Sequence, residues 1–233
     1  MHTISIFVDK NRMPKPASYF ECQTHLAKNL RNAANFIIRN LRTGLKKDPD
    51  TRNTNENEVL ETVRIGIEMA NEKLLKDVDR LTKQLHKLPA DDPARTKIQK
   101  RIENKQKNHP SMPTSDHWML TYETLDAVMK NTKNPDYYAM PSQVNQQVLR
   151  KVLKDWKSYF EALASYRQNP ERFKSQPKQP GYIKTPYTTV TFTNQVAKRS
   201  DIRGKMYITF PRCPVPVCVG KSEGSYVRTE VKP

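Results

Sequence analysis

The spacing of apolar residues along the chain predicts a mostly helical protein. Apolar residues recur every three or four positions over residues 18–42, which is the spacing of one face of a helix. The same spacing over residues 58–88 is close to a heptad seam, with charged residues of both signs around it. A shorter helical stretch then completes a predicted helical hairpin over residues 58–107, after the polar loop 46–57.

Two further helices are predicted in the second half of the chain. The first covers residues 117–131, with Trp118, Tyr122, Leu125 and Met129 on one face. The second covers residues 142–167, and we expect Ser142 to cap it. Its apolar stripe is formed by Val144, Val148, Val152, Trp156, Phe160 and Leu163.

Short β-rich segments lie at both ends of the chain. They are residues 3–8, 185–195, 204–211, 213–220 and the stretch that begins at Ser225. Two prolines restrict the segment 213–220 to a sheet edge. We therefore predict an α+β fold in which a small antiparallel barrel or sheet is interrupted by helices. The predicted parts are a first strand in residues 1–17, a helical region in 18–167 and C-terminal strands in 168–233.

The distribution of charge adds evidence about function. The chain carries a net charge of +17 that is unevenly distributed. Residues 1–50 hold nine Lys and Arg against four acids, and residues 166–233 hold 13 against four. Residues 51–165 are nearly balanced, with 19 against 16. Basic ends that also carry aromatic residues favour a nucleic-acid partner over simple solubility.

The sequence offers little for catalysis or metal binding. The histidines are scattered, no glycine-rich phosphate loop occurs, and Cys213 with Cys218 would supply only two of the ligands that a zinc site needs. We expect no catalytic residue, no metal site and no cofactor in this chain. The three cysteines indicate no disulfide framework, and no apolar run approaches the length that spans a bilayer. We expect a cytoplasmic protein that does not contact a membrane.

The helix predicted over residues 142–167 has an unusual polar side. Between Met140 and Phe160 it carries three glutamines, an asparagine, an arginine and three lysines, but only one acid, Asp155. Amide side chains suit base edges and sugars, whereas Lys and Arg suit phosphates. This pattern alone is compatible with two arrangements. The helix could lie against a duplex, or its polar side could face water.

Candidate contacts to nucleic acid follow from the polar sides of two predicted helices. On the first helix they are Lys28, Arg31, Asn32, Asn35 and Arg39. On the later helix they are Ser142, Gln143, Asn145, Gln146, Arg150, Lys154 and Lys157.

Several motifs resemble the N-terminal half of TnpB-type proteins, the RNA-guided nucleases (OrfB transposases) of bacterial insertion sequences, which are related to type V CRISPR effectors. The most specific is PSQVNQQVLRKVLKDWKSYFEAL, preceded by NPDYYAM and followed by QPGYIK. AKNLRNAANFIIRN resembles the first helix of that family, and YITFPRCPVPVCVG and YVRTEVKP resemble its wedge strands. The resemblance covers about residues 3–50 and 118–233, and the hairpin 58–107 matches less well. Tyr182 and Lys184 of the QPGYIK motif join the candidate contacts.

The resemblance implies a wedge-type β-barrel interrupted by a helical recognition lobe, in the cytoplasm of a bacterium. Such a half binds the guide RNA scaffold, the guide–target heteroduplex and the short motif beside the double-stranded DNA target. In that family a RuvC-like domain with three acidic metal ligands does the cutting. We expect this chain to end within the wedge strands and not to cut by itself. Mg²⁺ would belong to the missing nuclease domain, which a partner chain could supply.

Two other functions stay open. The chain could be a stand-alone DNA-binding repressor or accessory protein of a mobile element. It could also be a helical interaction protein, which the seam over residues 60–88 favours.

Overall fold

Contacts divide the chain into two compact units. The first unit comprises residues 1–36 with 133–233, and the second comprises residues 37–132. The computed structural model describes residues 8, 10–107, 109–117, 119–221 and 229–231. Helices and short antiparallel strands together confirm the mixed α+β class.

The helices follow the predicted spacing closely. They are α1 Pro14–Leu45, α2 Thr54–Lys87, α3 Ala94–Lys107, α4 Tyr122–Asn131, α5 Pro135–Ala139 and α6 Ser142–Gln168. Helix α4 begins later than predicted because Thr121 is its N-cap and accepts a hydrogen bond from the Thr124 amide. Trp118, predicted on its buried face, lies outside the described residues.

The connection between α4 and α6 differs from the prediction. The sequence NPDYYAMP predicts a turn, but its centre forms α5, which Asn134 caps by accepting a hydrogen bond from the Tyr137 amide at 2.9 Å. The prediction that Ser142 caps α6 is wrong, since Pro141 is the N-cap residue and Ser142 is already helical. Among the described residues, no helix is both long and apolar enough to cross a membrane.

The strands form two small antiparallel sheets. They are β1 Val190–Phe192, β2 Lys198–Ile202, β3 Lys205–Thr209, β4 Val217–Lys221 and β5 Thr229–Val231. Strand β1 pairs with β5, while β2, β3 and β4 form an open sheet in that order. Residues 3–7 of the predicted first strand lie outside the described residues, and Val8 is in no strand. The closed barrel therefore stays a prediction.

Strand β2 was not expected, because its residues KRSDI are exposed on both faces and show no alternation. Backbone pairing with β3 forms it, through a two-residue turn at Arg203 and Gly204. Both turn residues adopt left-handed conformations, with φ of 51° and 72°. Turns of this kind match the twist of the flanking strands.

In the second unit the seam on α2 is shared between two helices. Its first part, which includes Val63 and Ile67, is buried where α2 packs on α4. Gly66 permits this close approach, because a Cβ built there would lie 2.4 Å from Val128 Cγ2. Further along, α2 and α3 form an antiparallel hairpin.

Polar contacts hold that hairpin at both ends. Arg95 donates from Nη1 to the carbonyls of Leu85 and Leu88 at 2.9 and 2.8 Å, which satisfies the end of α2. Lys105 pairs with Asp77 at 3.0 Å near the other end. The apolar seam of α2 is therefore not covered by α3 alone, since α4 covers its first half.

The core of the first unit has two apolar clusters. Trp156 of α6 is completely buried, together with Val144 and Leu149 of the same helix. In the second cluster the Phe210 ring meets those of Phe20 and Phe192 edge to face, each at a centroid distance of 5.0 Å. This aromatic cluster joins α1 to β1 and to the end of β3.

We predict that Gly66→Ala destabilises the second unit by up to about 2 kcal/mol. Overpacking costs about 1–3 kcal/mol, which outweighs the roughly 1 kcal/mol that alanine gains over glycine in a helix. In a Val128→Ala background the clashing methyl group is gone, so the same change should be neutral or stabilising. Urea unfolding of the four variants measures the coupling. An equal cost in both backgrounds would contradict the contact with Val128.

Candidate nucleic-acid interface

Helix α6 presents a cationic face rich in amides opposite its buried stripe. Val144, Val148, Val152 and Trp156 point into the core, and the 3.6-residue period places the polar residues on the other side. This α6 face consists of Gln143, Gln146, Gln147, Arg150, Lys151, Lys154 and Lys157. Gln147 and Lys151 were not among the predicted contacts, although the same period would have placed them there.

Asp155, the single acid between Met140 and Phe160, has an ion-pair partner within the protein. Asp155 forms an ion pair with Arg31 of α1 at 2.7 Å, and both side chains are largely shielded, with 33% and 19% exposed. No described carboxylate forms an ion pair with Lys151 or Lys154. Lys157 approaches Glu161 at 3.8 Å, but both side chains are well exposed. Lys151 and Lys154 therefore carry positive charge on the α6 face without an ion-pair partner among the described carboxylates.

The long helix of the second unit shows the opposite arrangement. On α2, Arg64 pairs with Glu61 and Glu68, and Lys76 pairs with Glu72. Arg80 pairs with Asp77, and Lys83 with Asp79. Each of these four bases has an acid one turn away, as on a solvated helix surface. On the α6 face, Lys157 has a neighbour of this kind in Glu161, whereas Lys151 and Lys154 form no ion pair with a described carboxylate.

Asn32 of α1 anchors an irregular segment that carries two predicted contacts. Its side chain accepts from the Ile183 amide at 2.9 Å and donates to the Ile183 carbonyl at 3.0 Å. Tyr182 and Lys184 flank this anchored residue, and both are exposed. Asn32 therefore positions the segment, while Tyr182 and Lys184 remain candidates for contact.

Two predicted contacts have structural roles instead. Asn35 is buried, accepts from the Trp156 indole at 2.9 Å and donates to the Pro180 carbonyl at 3.1 Å. Asn145 is also buried and donates to the Tyr137 carbonyl at 2.8 Å. Sequence spacing placed both on polar faces, but the packing of neighbouring segments covers them. We do not include Asn35 and Asn145 in the interface.

The remaining predicted residues are spread more widely. Lys28 is half-buried on α1, and Ser142 is exposed at the start of α6. Arg39 lies on the part of α1 that belongs to the second unit. Gln143 accepts a hydrogen bond from the Thr193 hydroxyl at 3.0 Å, which ties α6 to the residue after β1.

A partly open cleft lies in the first unit between α1, α6 and the start of β1. Its polar lining consists of Arg31, Gln147, Lys151, Thr188, Thr189 and Thr191, over an apolar floor of Ala27 and Val148. The sequence did not predict these threonines as contacts, because a Thr-rich stretch that also contains Val and Phe is typical of a strand. Among the described residues, the cleft is lined by hydroxyl, amide and cationic groups and by no carboxylate.

Polar contacts also fix the segment that leads into β1. Tyr187 donates to Glu21 of α1, and Lys10 pairs with the same carboxylate at 3.1 Å. The hydrogen bond from Tyr187, followed by the contact with Lys10, holds the pKa of Glu21 below its usual range. The same bond raises the pKa of the Tyr187 hydroxyl. Within the described segments, no group of three or more His, Cys, Asp and Glu residues could hold a metal ion.

Comparison of the chain with protein-family profiles, with curated proteins and with solved structures finds no match.

We predict that the buried asparagine and the amides of the α6 face respond differently to truncation. Asn35→Ala should cost about 1–3 kcal/mol of stability, because the Trp156 indole loses its buried acceptor. Trp156→Ala should cost roughly 3–5 kcal/mol. Gln146→Ala, on the same face as the lysines, should stay within about 0.5 kcal/mol of the wild type. Chemical denaturation compares all three, and a wild-type stability for Asn35→Ala would remove its structural role.

Proposed function

We propose that this chain binds nucleic acid, as the wedge and recognition-lobe half of a TnpB-like protein does. Its partners would be the scaffold of a guide RNA and double-stranded DNA with a short motif beside the target, in the bacterial cytoplasm. The observation that carries the proposal is the α6 face, where Asp155 is paired with Arg31 and no described carboxylate pairs with Lys151 or Lys154. The TnpB-like assignment itself rests on the sequence motifs.

The proposed division of labour follows the chemistry of the side chains. Lys154 and Lys157 are exposed cations that would contact phosphates, which gives affinity for any sequence. Gln146 offers a donor and an acceptor, as a base edge requires. Tyr182, held beside the anchored Ile183, would stack on a base or sugar. Phosphate contacts would position the nucleic acid, and the amides would select among sequences.

We further propose that this chain alone does not cut nucleic acid. Two-metal hydrolysis needs clustered acids, and no such cluster occurs among the described residues. Cleavage would then require a nuclease domain or a partner chain that carries one.

The two other functions make different predictions about bound nucleic acid. A repressor or accessory protein of a mobile element would bind DNA and would not copurify with RNA. A helical interaction protein is favoured by the paired charges on α2 and would bind neither. Sequencing the nucleic acid that copurifies with the full chain distinguishes the three functions. The recovery of one structured RNA species would support the guide-RNA proposal.

We predict that Lys154→Gln and Lys157→Gln weaken binding to an RNA hairpin and to a DNA duplex alike. Each should reduce the slope of log affinity against log salt by about 0.9 on B-DNA if it removes one phosphate contact. Lys76→Gln and Lys83→Gln on α2 are matched controls, because each lysine is exposed and paired with an acid. Fluorescence anisotropy across a salt series measures both pairs. Equal effects of the two pairs would indicate attraction by net charge rather than by the α6 face.

We also predict that the purified chain does not degrade the RNA hairpin or the DNA duplex with Mg²⁺ or Mn²⁺ present. Gel assays over a time course test this directly. Metal-dependent cleavage that persists through purification and is lost on mutation of a residue of this chain would contradict the proposal.

A further inference from the structure

We propose that the cleft between α1, α6 and β1 seats one phosphate group of the bound nucleic acid. This inference rests on the proposed function and gives it a defined contact. The cleft offers two cations, Arg31 and Lys151, and uncharged donors from Gln147 and three threonines. Asp155 pairs with Arg31 but does not line the cleft. A ligand that accepts hydrogen bonds on every side and carries negative charge fits this lining.

Arg31 is oriented in advance for such a ligand. Its ion pair with Asp155, at 2.7 Å, limits the rotation of the side chain. A guanidinium has five N–H donors, so pairing with one carboxylate leaves others for a second anion. Because the side chain is already ordered, binding would cost less conformational entropy than at a freely moving arginine.

The threonines are held in place by the fold. Val190 and Phe192 of β1 are buried, so strand alternation turns Thr191 outward to the cleft. Thr188 and Thr189 follow Tyr187, whose hydroxyl is bound to Glu21. Hydroxyl donors on a fixed backbone are a common means of contacting phosphate oxygens.

The lining favours a phosphate over a base. A base edge presents both donors and acceptors, and would need acceptors in the protein. Of the six polar side chains, Arg31 and Lys151 are cations that can only donate, which favours an anion, and the threonine hydroxyls can either donate or accept. Gln147 alone carries an amide oxygen. The cleft therefore adds a positioned phosphate contact beside the more diffuse charge of the α6 face.

The decisive variant is Thr191→Val, which removes a hydroxyl while keeping shape and charge. We expect affinity for both the RNA hairpin and the DNA duplex to fall about tenfold to a hundredfold, as for a lost hydrogen bond to a charged group. The salt slope should stay unchanged, because no charge is removed. Thr209→Val, at an exposed position of β3, is the matched control and should bind as the wild type does.

A second variant tests the charge in the cleft. Lys151→Gln should weaken binding and reduce the salt slope by about 0.9 on the duplex. Thermal melts of each variant confirm that the chain remains folded, and valine is well suited to a strand position. Combining Thr191→Val with Lys151→Gln should give less than the sum of the two losses, because both contact the same phosphate.

The outcomes separate this inference from the proposed function. If the wild-type chain binds neither probe at any salt concentration, the proposed function is wrong and the inference fails with it. If the wild type binds both probes but Thr191→Val binds as tightly as Thr209→Val, only the phosphate site is wrong. Binding of an acidic protein, with no competition from either probe, would likewise overturn the phosphate assignment.

Discussion

The pairing of α1 with α6 is the contact on which the first unit depends. Asn35 joins three segments, since it accepts from the buried Trp156 indole and donates to the Pro180 carbonyl. The Arg31–Asp155 ion pair fastens the same two helices at a position that is more exposed to solvent. These contacts fix the distance between α1 and α6, and with it the cleft and the outward direction of the α6 face. A buried polar link of this kind specifies one arrangement, because any other leaves its groups unsatisfied.

Several acids of the first unit bind partners within that unit. Asp155 pairs with Arg31, Glu21 binds Tyr187 and Lys10, and Asp136 accepts from Asn29. These three carboxylates bind partners within the unit, while Glu161 and Asp201 stay exposed beside Lys157 and Arg199. In the second unit, surface acids of α2 pair with bases of the same helix, while Glu56 and Asp126 are buried. Among the described residues, Lys151 and Lys154 of α6 thus have no acidic partner, whereas Arg64, Lys76 and Lys83 of α2 are paired on the helix surface.

Side chains of α1 form hydrogen bonds to a long segment that has no regular secondary structure. Residues 173–189 form neither helix nor strand, yet Asn32 and Asn35 bind the backbone at Ile183 and Pro180. Further on, Glu21 binds the Tyr187 hydroxyl. Long irregular segments in compact domains are often functional, and a rigid helix that positions one is a common basis for a binding site. Here one helix places both the aromatic Tyr182 and the threonines of the cleft.

The sequence by itself determined the five longer helices and most of the strands, because these follow from local periodicity. The stripe on α6 and the net positive charge of the chain ends were also readable, since both depend only on residue order. The sequence did not indicate β2, because the exposed residues of that strand show no alternation of apolar and polar side chains. Nor did it indicate that α4 packs on α2, a contact that Gly66 allows. Tertiary structure alone decided that Asn35 and Asn145 are buried and that Thr191 meets Arg31 and Lys151 in one cleft. Such roles depend on which distant segments pack against a residue, and a period of 3.6 or 2 residues carries no information about that.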